Sequence, residues 1–288
     1  MNRDLVERKI FGTLRWLVIG VLVVVTVLPF YYMVLLSLRP IDKLLQDPGD
    51  LGISAGELTW STYGDVLTSV ADGGQGFLSL LTNSGLVALA TVAITLILAV
   101  PGSYAIGRLR FFGRKQMHFL FLAVYLFPSI LLAIPLFVFF TRAGLRGSLV
   151  GLTIVYVAQA VPVSVYMLRN YLASLPASIE EAAAIDGCNR LQTVWRVIIP
   201  LAAPALMANA LYIFMIAWNE FLFALLFLVE NRPSWTVSLG LAQLAGGIEV
   251  PKTTLMAASV ILTIPIVLIF FAAEKMLTEG LTSGADKG

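Results

Sequence analysis

Apolar residues in this chain occur in long continuous runs rather than at the spacing of an amphipathic helix or strand. A helix needs about 20 apolar residues to cross the roughly 30 Å hydrocarbon layer of a bilayer. Within lipid, a helix also satisfies every backbone polar group inside one segment. The pattern therefore predicts an all-α, polytopic membrane protein. Its six transmembrane helices are expected at residues 16–38, 81–107, 118–140, 149–171, 201–229 and 254–276.

The composition also favours a membrane protein. Of the 288 residues, 59% are hydrophobic and 12% are charged, whereas soluble domains have about 45–50% and 25%. The first apolar run is too long for the core of a signal peptide, and no small-residue cleavage site follows Leu38. We therefore expect this run to remain as a membrane anchor. The net charge of +2 is too small to indicate a nucleic-acid partner.

Basic residues are unevenly divided between the two sides of the six predicted helices. The side that holds both termini carries thirteen of the 19 Lys and Arg residues, and the other side carries six. Because Lys and Arg accumulate in cytoplasmic loops, both termini are predicted to be cytoplasmic.

The predicted helices divide the chain into four parts. Residues 1–15 form a cytoplasmic leader, and residues 16–76 form the first transmembrane helix with an external loop. Residues 77–276 form a five-helix transmembrane domain, and residues 277–288 form a cytoplasmic tail. The external loop is rich in Gly and Asp, and its composition leaves open whether it is a partly ordered cap or a tether.

Side chains that usually catalyse reactions or bind metals are scarce. Cys188 is the single cysteine, so no disulfide can form within the chain. His118 is the single histidine and lies at the cytoplasmic start of the third predicted helix, where an interfacial position is favoured over a metal ligand. We therefore predict no catalytic site, no metal site and no cofactor in this chain.

The cytoplasmic segment between the fourth and fifth predicted helices has the pattern of two short helices joined by a glycine turn. Ser178 and Glu181 have the spacing of a capping box for the first helix, and Asn189 with Gln192 resembles a second capped start. Gly187 lies where a left-handed residue commonly ends a helix. A helix of small residues led by glutamates suits a groove on another protein. Helices that lie on lipid favour Lys and Arg instead.

This segment resembles the EAA motif of binding-protein-dependent ABC importer permeases, which reads E-A-A-x-x-x-G, nine residues, then I-x-L-P. Glu181-Ala182-Ala183 and Gly187 match the first part, and Val197-x-Ile199-Pro200 matches the end with two conservative replacements. The resemblance covers roughly residues 77–276, which it identifies as a permease domain. It implies a cytoplasmic coupling helix that docks in a cleft of an ATP-binding subunit. The residues assigned to docking are Glu180, Glu181, Ala182, Ala183, Asp186 and Gly187.

Smaller features are similar to the second, maltose-type permease subunit of carbohydrate importers. They are the stretch from Leu81 to Ser84, which includes Asn83, the stretch from Tyr104 to Arg114, which includes Arg108, and Trp218-Asn219-Glu220-Phe221. The resemblance implies a bacterial inner-membrane complex containing a second permease subunit and two ATP-binding subunits that hold ATP and Mg²⁺. An extracytoplasmic solute-binding protein or lipoprotein would deliver a sugar. A polyol, glycerol phosphate or another small solute is the alternative cargo.

Glu220 is the single acidic residue well inside a predicted transmembrane helix. A carboxylate in hydrocarbon costs about 2.5–3.5 kcal/mol on insertion scales, so it must face a cavity or a partner. Two interpretations remain open. Glu220 lines a sugar path beside Trp218 and Asn219, or it makes a buried contact that fixes helix packing. The weaker candidates for the same path are Asn83, Gln159, Tyr166 and Tyr212.

The external segment before the last predicted helix contains a flexible polar-to-glycine tip at Gln243, Gly246 and Gly247. In similar sugar permeases the corresponding loop reaches into the open substrate-binding protein and helps displace the sugar. A plain exposed turn is the alternative.

Other functional classes lack their usual sequence features here. ATP hydrolysis in this chain is excluded because the glycine-lysine motif that binds ATP phosphates is missing. An intramembrane enzyme needs paired catalytic residues, and a secondary transporter usually has inverted repeats and several intramembrane charges. The sequence therefore predicts a non-catalytic membrane subunit of a transport complex.

Overall fold

The computed structural model describes residues 3–46, 49, 52, 56, 58–247 and 250–285, and it describes side chains between residues 11 and 274 except for 44 and 45. The described residues contain helices and no β-strand, which confirms the predicted all-α fold. The helices are α1 Arg3–Leu38, α2 Ile41–Gln46, α3 Ser61–Leu67, α4 Phe77–Arg108, α5 Arg114–Leu126, α6 Ala133–Arg142, α7 Leu149–Ser174, α8 Ser178–Ile185, α9 Arg190–Thr193, α10 Ile199–Leu201, α11 Ala203–Asn219, α12 Leu222–Leu228, α13 Val237–Gly246 and α14 Lys252–Ala285.

Four helices are long and apolar enough to cross a bilayer, judged by length and composition within the described residues. They lie at Phe11–Leu38, Phe77–Arg108, Leu149–Ser174 and Lys252–Glu274. Two bent helix pairs, each counted as one span, bring the number to the six that the sequence predicts.

The third predicted helix is not continuous, because α5 and the stretch Ser129–Arg142 meet at an angle of 87°. Proline has no N–H to donate and disfavours helical backbone in the residue before it. Phe127, directly before Pro128, is accordingly extended with φ −73° and ψ 128°. The prediction of one helix over residues 118–140 is therefore wrong at this position.

The fifth predicted helix is also interrupted. The stretch Arg190–Leu201 makes an angle of 77° with α11, so residue 201 belongs to the preceding helical segment. At the other end, α11 stops at Asn219, Glu220 is extended, and α12 begins at Leu222. A single helix over 201–229 is therefore replaced by α11 and α12.

The chain divides into two compact units, of which the first comprises Met1–Phe77 and Gln243–Ile261. Its external loop is fastened to the end of α1. The Thr59 N–H donates to the Leu38 carbonyl at 2.8 Å, and the hydroxyls of Ser37 and Tyr63 lie 2.6 Å apart. Where it is described, the loop is therefore bonded to the end of α1. Asp47 and Asp50 of this loop lie outside the described residues.

The second unit comprises Leu78–Ala242 and Leu262–Gly288. Its core is formed by α4 and α7, where Ala99 and Ile106 cluster with Val165 and Leu168. A second cluster joins Tyr104 and Leu172 to the segment that leads into α11, and it includes Ile198 and Ala202. The burial of these side chains holds the segment that leads into α11 against α4 and α7.

Candidate functional site

The segment predicted to dock on an ATP-binding subunit consists of α8 and the helical stretch that begins at α9. We call residues 176–200 the coupling hairpin. At the start of α8, the N–H groups of Ile179, Glu180 and Glu181 bond to the backbone carbonyls of the two preceding residues, Pro176 and Ala177. These first amides are already paired, so Ser178 makes no cap. The predicted capping box of Ser178 and Glu181 is therefore wrong.

The turn between the two helices follows the prediction. Gly187 has φ +82°, in the left-handed region. The Cys188 N–H bonds to the Ala183 carbonyl at 2.9 Å, and the Gly187 N–H bonds to the Ala184 carbonyl at 3.1 Å. These two bonds form a Schellman motif, which satisfies the last carbonyls of a helix. Beyond the turn, Asn189 and Gln192 form the predicted capping box, with both bonds at 2.9 Å.

The predicted docking residues do not share one face of α8. Glu181, Ala182, Asp186 and Gly187 are exposed, whereas Ala183 is only 5% exposed and packs inside this chain. Sequence reasoning missed Ile185, which is 86% exposed. Its spacing was the available signal, since residues three and four apart share a helix face and place Ile185 beside Ala182 and Glu181.

Glu180 is occupied within the chain. Its Oε1 lies 2.9 Å from the Nε of Arg108 in a partly buried ion pair, and its Oε2 accepts a bond of 3.1 Å from the Tyr104 hydroxyl. The Arg108 Nη2 also donates to the Leu175 carbonyl at 2.7 Å. Beside these groups lies a cleft of about 230 Å³ that is also lined by Cys188 and Arg190. The Glu180 carboxylate thus joins the hairpin to the end of α4.

Glu220 lies at the break between α11 and α12. Its Oε1 accepts the Phe223 N–H at 2.9 Å, and its Oε2 accepts the Ala224 N–H at 3.2 Å. The hydroxyl of Tyr156, a residue of α7 that sequence reasoning missed, donates to the same Oε2. The Glu220 backbone carbonyl accepts a bond of 2.6 Å from the Ser238 hydroxyl. These contacts support the packing interpretation of Glu220, since they make its carboxylate a cap for α12.

The two residues that precede Glu220 make different contacts. Trp218 is 3% exposed, donates its indole N–H to the Leu262 carbonyl at 3.2 Å and stacks on Phe214 with ring centres 5.3 Å apart. Asn219 is exposed, and its amide donates to the Met215 carbonyl of its own helix at 2.9 Å. Of these two side chains, that of Asn219 is thus exposed and that of Trp218 is buried.

The remaining path candidates lie apart from one another in the structure. The Asn83 amide donates to the carbonyls of Pro233 and Trp235 at 2.8 and 3.0 Å. Tyr166 stacks on His118 with ring centres 6.0 Å apart, and Tyr212 lies beside Tyr125. Gln159 has a buried side-chain nitrogen without a hydrogen-bond partner among the described residues. The side chains of these candidates thus have different surroundings.

The tip at Gln243, Gly246 and Gly247 is partly helical. Gln243 and Gly246 form the last turn of α13 and are exposed. Gly247 follows the helix and bonds through its N–H to the Leu244 carbonyl at 3.2 Å. The part of the tip before Gly247 is therefore helical, and its contact with a binding protein stays a prediction. The two residues after it lie outside the described residues.

Known proteins are similar to this chain over nearly its whole length. The sequence pattern of the family described as "Binding-protein-dependent transport system inner membrane component" matches residues 99–282. The trehalose/maltose transport system permease protein MalG of Thermococcus litoralis is 36% identical over 276 residues, which cover 94% of this chain and 96% of that protein. The diacetylchitobiose uptake system permease protein DasC of Streptomyces coelicolor is 31% identical and covers 98% and 100%.

A solved structure has a similar fold. It is the crystal structure of a bacterial ABC transporter involved in the import of the acidic polysaccharide alginate. The matched chain is 25% identical to this one, the TM-score is 0.78, and the match covers 96% of this chain and 98% of that chain.

Proposed function

Because this chain belongs to the family of binding-protein-dependent transport system inner membrane components, we propose that it is the permease subunit of an ATP-driven importer for a sugar. The named relatives transport trehalose, maltose or diacetylchitobiose, and the similar solved transporter imports alginate. All of these cargoes are carbohydrates, which supports a sugar over a polyol or glycerol phosphate. The chain itself serves as a membrane subunit and leaves ATP hydrolysis to a partner.

The proposed complex contains a second permease subunit, two ATP-binding subunits that hold ATP and Mg²⁺, and an extracytoplasmic binding protein. Both termini and the coupling hairpin face the cytoplasm. The excess of Lys and Arg on that side supports this orientation, and the family description supports an inner-membrane location. Lipid surrounds the exposed apolar faces of the long helices.

The observation that carries the proposal is the exposed face of α8. Ile185 presents a large apolar side chain to solvent, flanked by the small Ala182 and the exposed carboxylates of Glu181 and Asp186. An apolar anchor with a charged rim is the arrangement by which a helix binds in a hydrophobic groove. The carboxylates would meet basic groups at the rim of the groove on the ATP-binding subunit.

This assignment predicts that a charge at residue 185 removes the ATP-binding subunit. The ATP-binding subunit should co-purify with the tagged wild-type chain in detergent and should be lost from the variant Ile185→Asp. Ala173→Asp is the matched control, because residue 173 is exposed at the cytoplasmic end of α7. This control variant should retain the subunit.

Two results would contradict the proposal. If no ATP-binding subunit accompanies the wild-type chain, the chain is not part of an ATP-driven importer. If Ile185→Asp and Ala173→Asp retain equal amounts of the subunit, the exposed face of α8 is not the docking surface.

A further inference from the structure

The cytoplasmic end of α4 is joined to the coupling hairpin by polar contacts between residues far apart in sequence. Arg108 pairs with Glu180 and donates to the Leu175 carbonyl, while Tyr104 donates to the Glu180 carboxylate. Arg108 and Glu180 are only 16% and 22% exposed. Partial burial makes such charge-assisted contacts stronger than those of fully exposed pairs. The hairpin and α4 are therefore held together by more than apolar packing.

The last turn of α4 is itself closed by a side chain from the next helix. Arg114 at the start of α5 donates from Nε to the Ile106 carbonyl and from Nη2 to the Gly107 carbonyl, both at 2.6 Å. The final carbonyls of a helix have no partners inside the helix. Arg114 donates hydrogen bonds to two of these carbonyls. The end of α4 that carries Arg108 is thus held by Arg114 as well as by its contacts with the hairpin.

The external end of α4 is joined to a different segment. The Asn83 amide bonds to the carbonyls of Pro233 and Trp235. The Ser84 hydroxyl, which is 1% exposed, accepts the Val237 N–H at 2.8 Å. The first N–H groups of a helix lack partners within it, so Ser84 caps the start of α13 from another helix. Residues of α4 therefore hold the external segment that leads into α13.

A single helix connects these two sets of contacts. From Asn83 to Arg108, α4 runs for about 37 Å at the usual helical rise, which exceeds the roughly 30 Å hydrocarbon layer. The helix continues through Pro101 without a break. Continuous secondary elements of this kind are among the structures through which energetic coupling passes between distant sites.

We propose that α4 transmits movement between the external segment 233–237 and the coupling hairpin, with Asn83, Ser84, Arg108 and Glu180 as positioning residues. This inference rests on the proposed function, in which the hairpin contacts the ATP-binding subunit and α13 lies on the side of the binding protein. Glu180 then differs in role from its neighbour Glu181. It fastens the hairpin to α4, whereas the exposed Glu181 faces the partner.

The native thiol of Cys188 provides the test, because it lies in the cleft lined by Arg108 and Glu180 and is the single cysteine of the chain. The rate of its labelling by a maleimide is measured on this chain within the assembled complex in detergent. Asn83→Ala or Ser84→Ala breaks the external contacts of α4. Either variant should raise the labelling rate of Cys188, at the opposite end of α4, several-fold. Energetic coupling between distant sites has this magnitude.

Four control variants make the result specific. Thr82→Ala should be labelled at the wild-type rate, because among the described residues its hydroxyl bonds to the Leu78 carbonyl of its own helix. Glu180→Gln should raise the rate directly, and Glu181→Gln should not. The charge exchange of Arg108→Glu with Glu180→Arg should bring the rate back toward that of wild type.

The inference is overturned by the following result. Cys188 is labelled in Asn83→Ala and Ser84→Ala at the same rate as in wild type and Thr82→Ala, but faster in Glu180→Gln. In that outcome the cleft responds to its own contacts and not to the external end of α4. Retention of the ATP-binding subunit by Asn83→Ala, Ser84→Ala and Glu180→Gln, and its loss in Ile185→Asp, would leave the proposed function intact in either case.

Discussion

At the scale of single residues, Glu220 shows how a carboxyl side chain is accommodated inside an apolar segment. Its two carboxylate oxygens accept the first free N–H groups of α12 and the hydroxyl of Tyr156. The amino end of a helix carries a partial positive charge, which stabilises a carboxylate placed there. The acid therefore lies where the chain must change direction, and it supplies the acceptors that the broken helix needs.

These contacts predict that a complex with Glu220→Gln is less stable than the wild-type complex but still transports sugar. The amide has one acceptor oxygen, so at least one N–H at the start of α12 loses its partner. An unpaired buried polar group costs about 1–3 kcal/mol. The purified complex should melt at a lower temperature in detergent, while the initial rate of sugar uptake per assembled complex stays close to that of wild type.

Tyr156→Phe is the matched control for Glu220→Gln. It removes the hydroxyl donor and leaves both backbone N–H groups bonded to the carboxylate, so its melting temperature should fall by less. A Glu220→Gln complex that melts like wild type and takes up sugar slowly would instead place Glu220 on the sugar path.

At the scale of helices, composition predicts which segments cross the membrane but not where they bend. Pro101, Pro162 and Pro265 lie inside continuous helices, whereas the chain turns sharply at Pro128. Neighbouring helices can satisfy the groups that a proline leaves unpaired. The outcome therefore depends on packing that a hydropathy pattern does not contain.

The same limit applies to the candidate site. Gly187 and the Asn189 cap were predictable because local backbone geometry requires those residue types. Tyr156 lies 64 residues from Glu220 and Arg108 lies 72 residues from Glu180 in sequence. Neither pairing leaves a local signal, because each depends on how separate helices pack.

The turn between α8 and α9 predicts a strong effect of Gly187→Val. A left-handed backbone costs a residue with a side chain about 1–2 kcal/mol, and the cost is greatest for β-branched residues. Open space surrounds the position, because a β-carbon placed on residue 187 would meet no heavy atom within 4 Å. The strain therefore falls on the backbone alone. The variant should reach the membrane in normal amount but lose sugar uptake, because α8 changes direction.

Gly187→Asn is the matched control for this turn, since asparagine adopts the left-handed conformation more readily than other residues with side chains. It should retain most of the uptake, with the amount of protein in the membrane measured by immunoblotting. Wild-type uptake by Gly187→Val would show that the orientation of α8 does not matter for transport.

At the scale of the whole molecule, the distribution of basic residues determines the expected orientation. Three arginines lie on the side assigned to the cytoplasm: Arg108 ends α4, Arg110 lies in the turn that follows, and Arg114 begins α5. Two of these side chains also hold structure together, since Arg108 contacts the coupling hairpin and Arg114 closes α4. On the other side, Arg146 pairs with Glu230 at 2.6 Å. The same basic residues therefore determine the expected topology and stabilise the local structure.

The orientation predicts which introduced cysteines react in intact cells. In a Cys188→Ser background, Ala143→Cys before α7 and Gln243→Cys in α13 should react with a membrane-impermeant thiol reagent. Arg110→Cys should react only after the membrane is permeabilised. All three residues are exposed, so lack of reaction reports location rather than burial. Arg110 is preferred to Arg114 because its side chain closes no helix end. Reaction of Arg110→Cys in intact cells, with protection of the other two, would reverse the orientation and place the coupling hairpin outside.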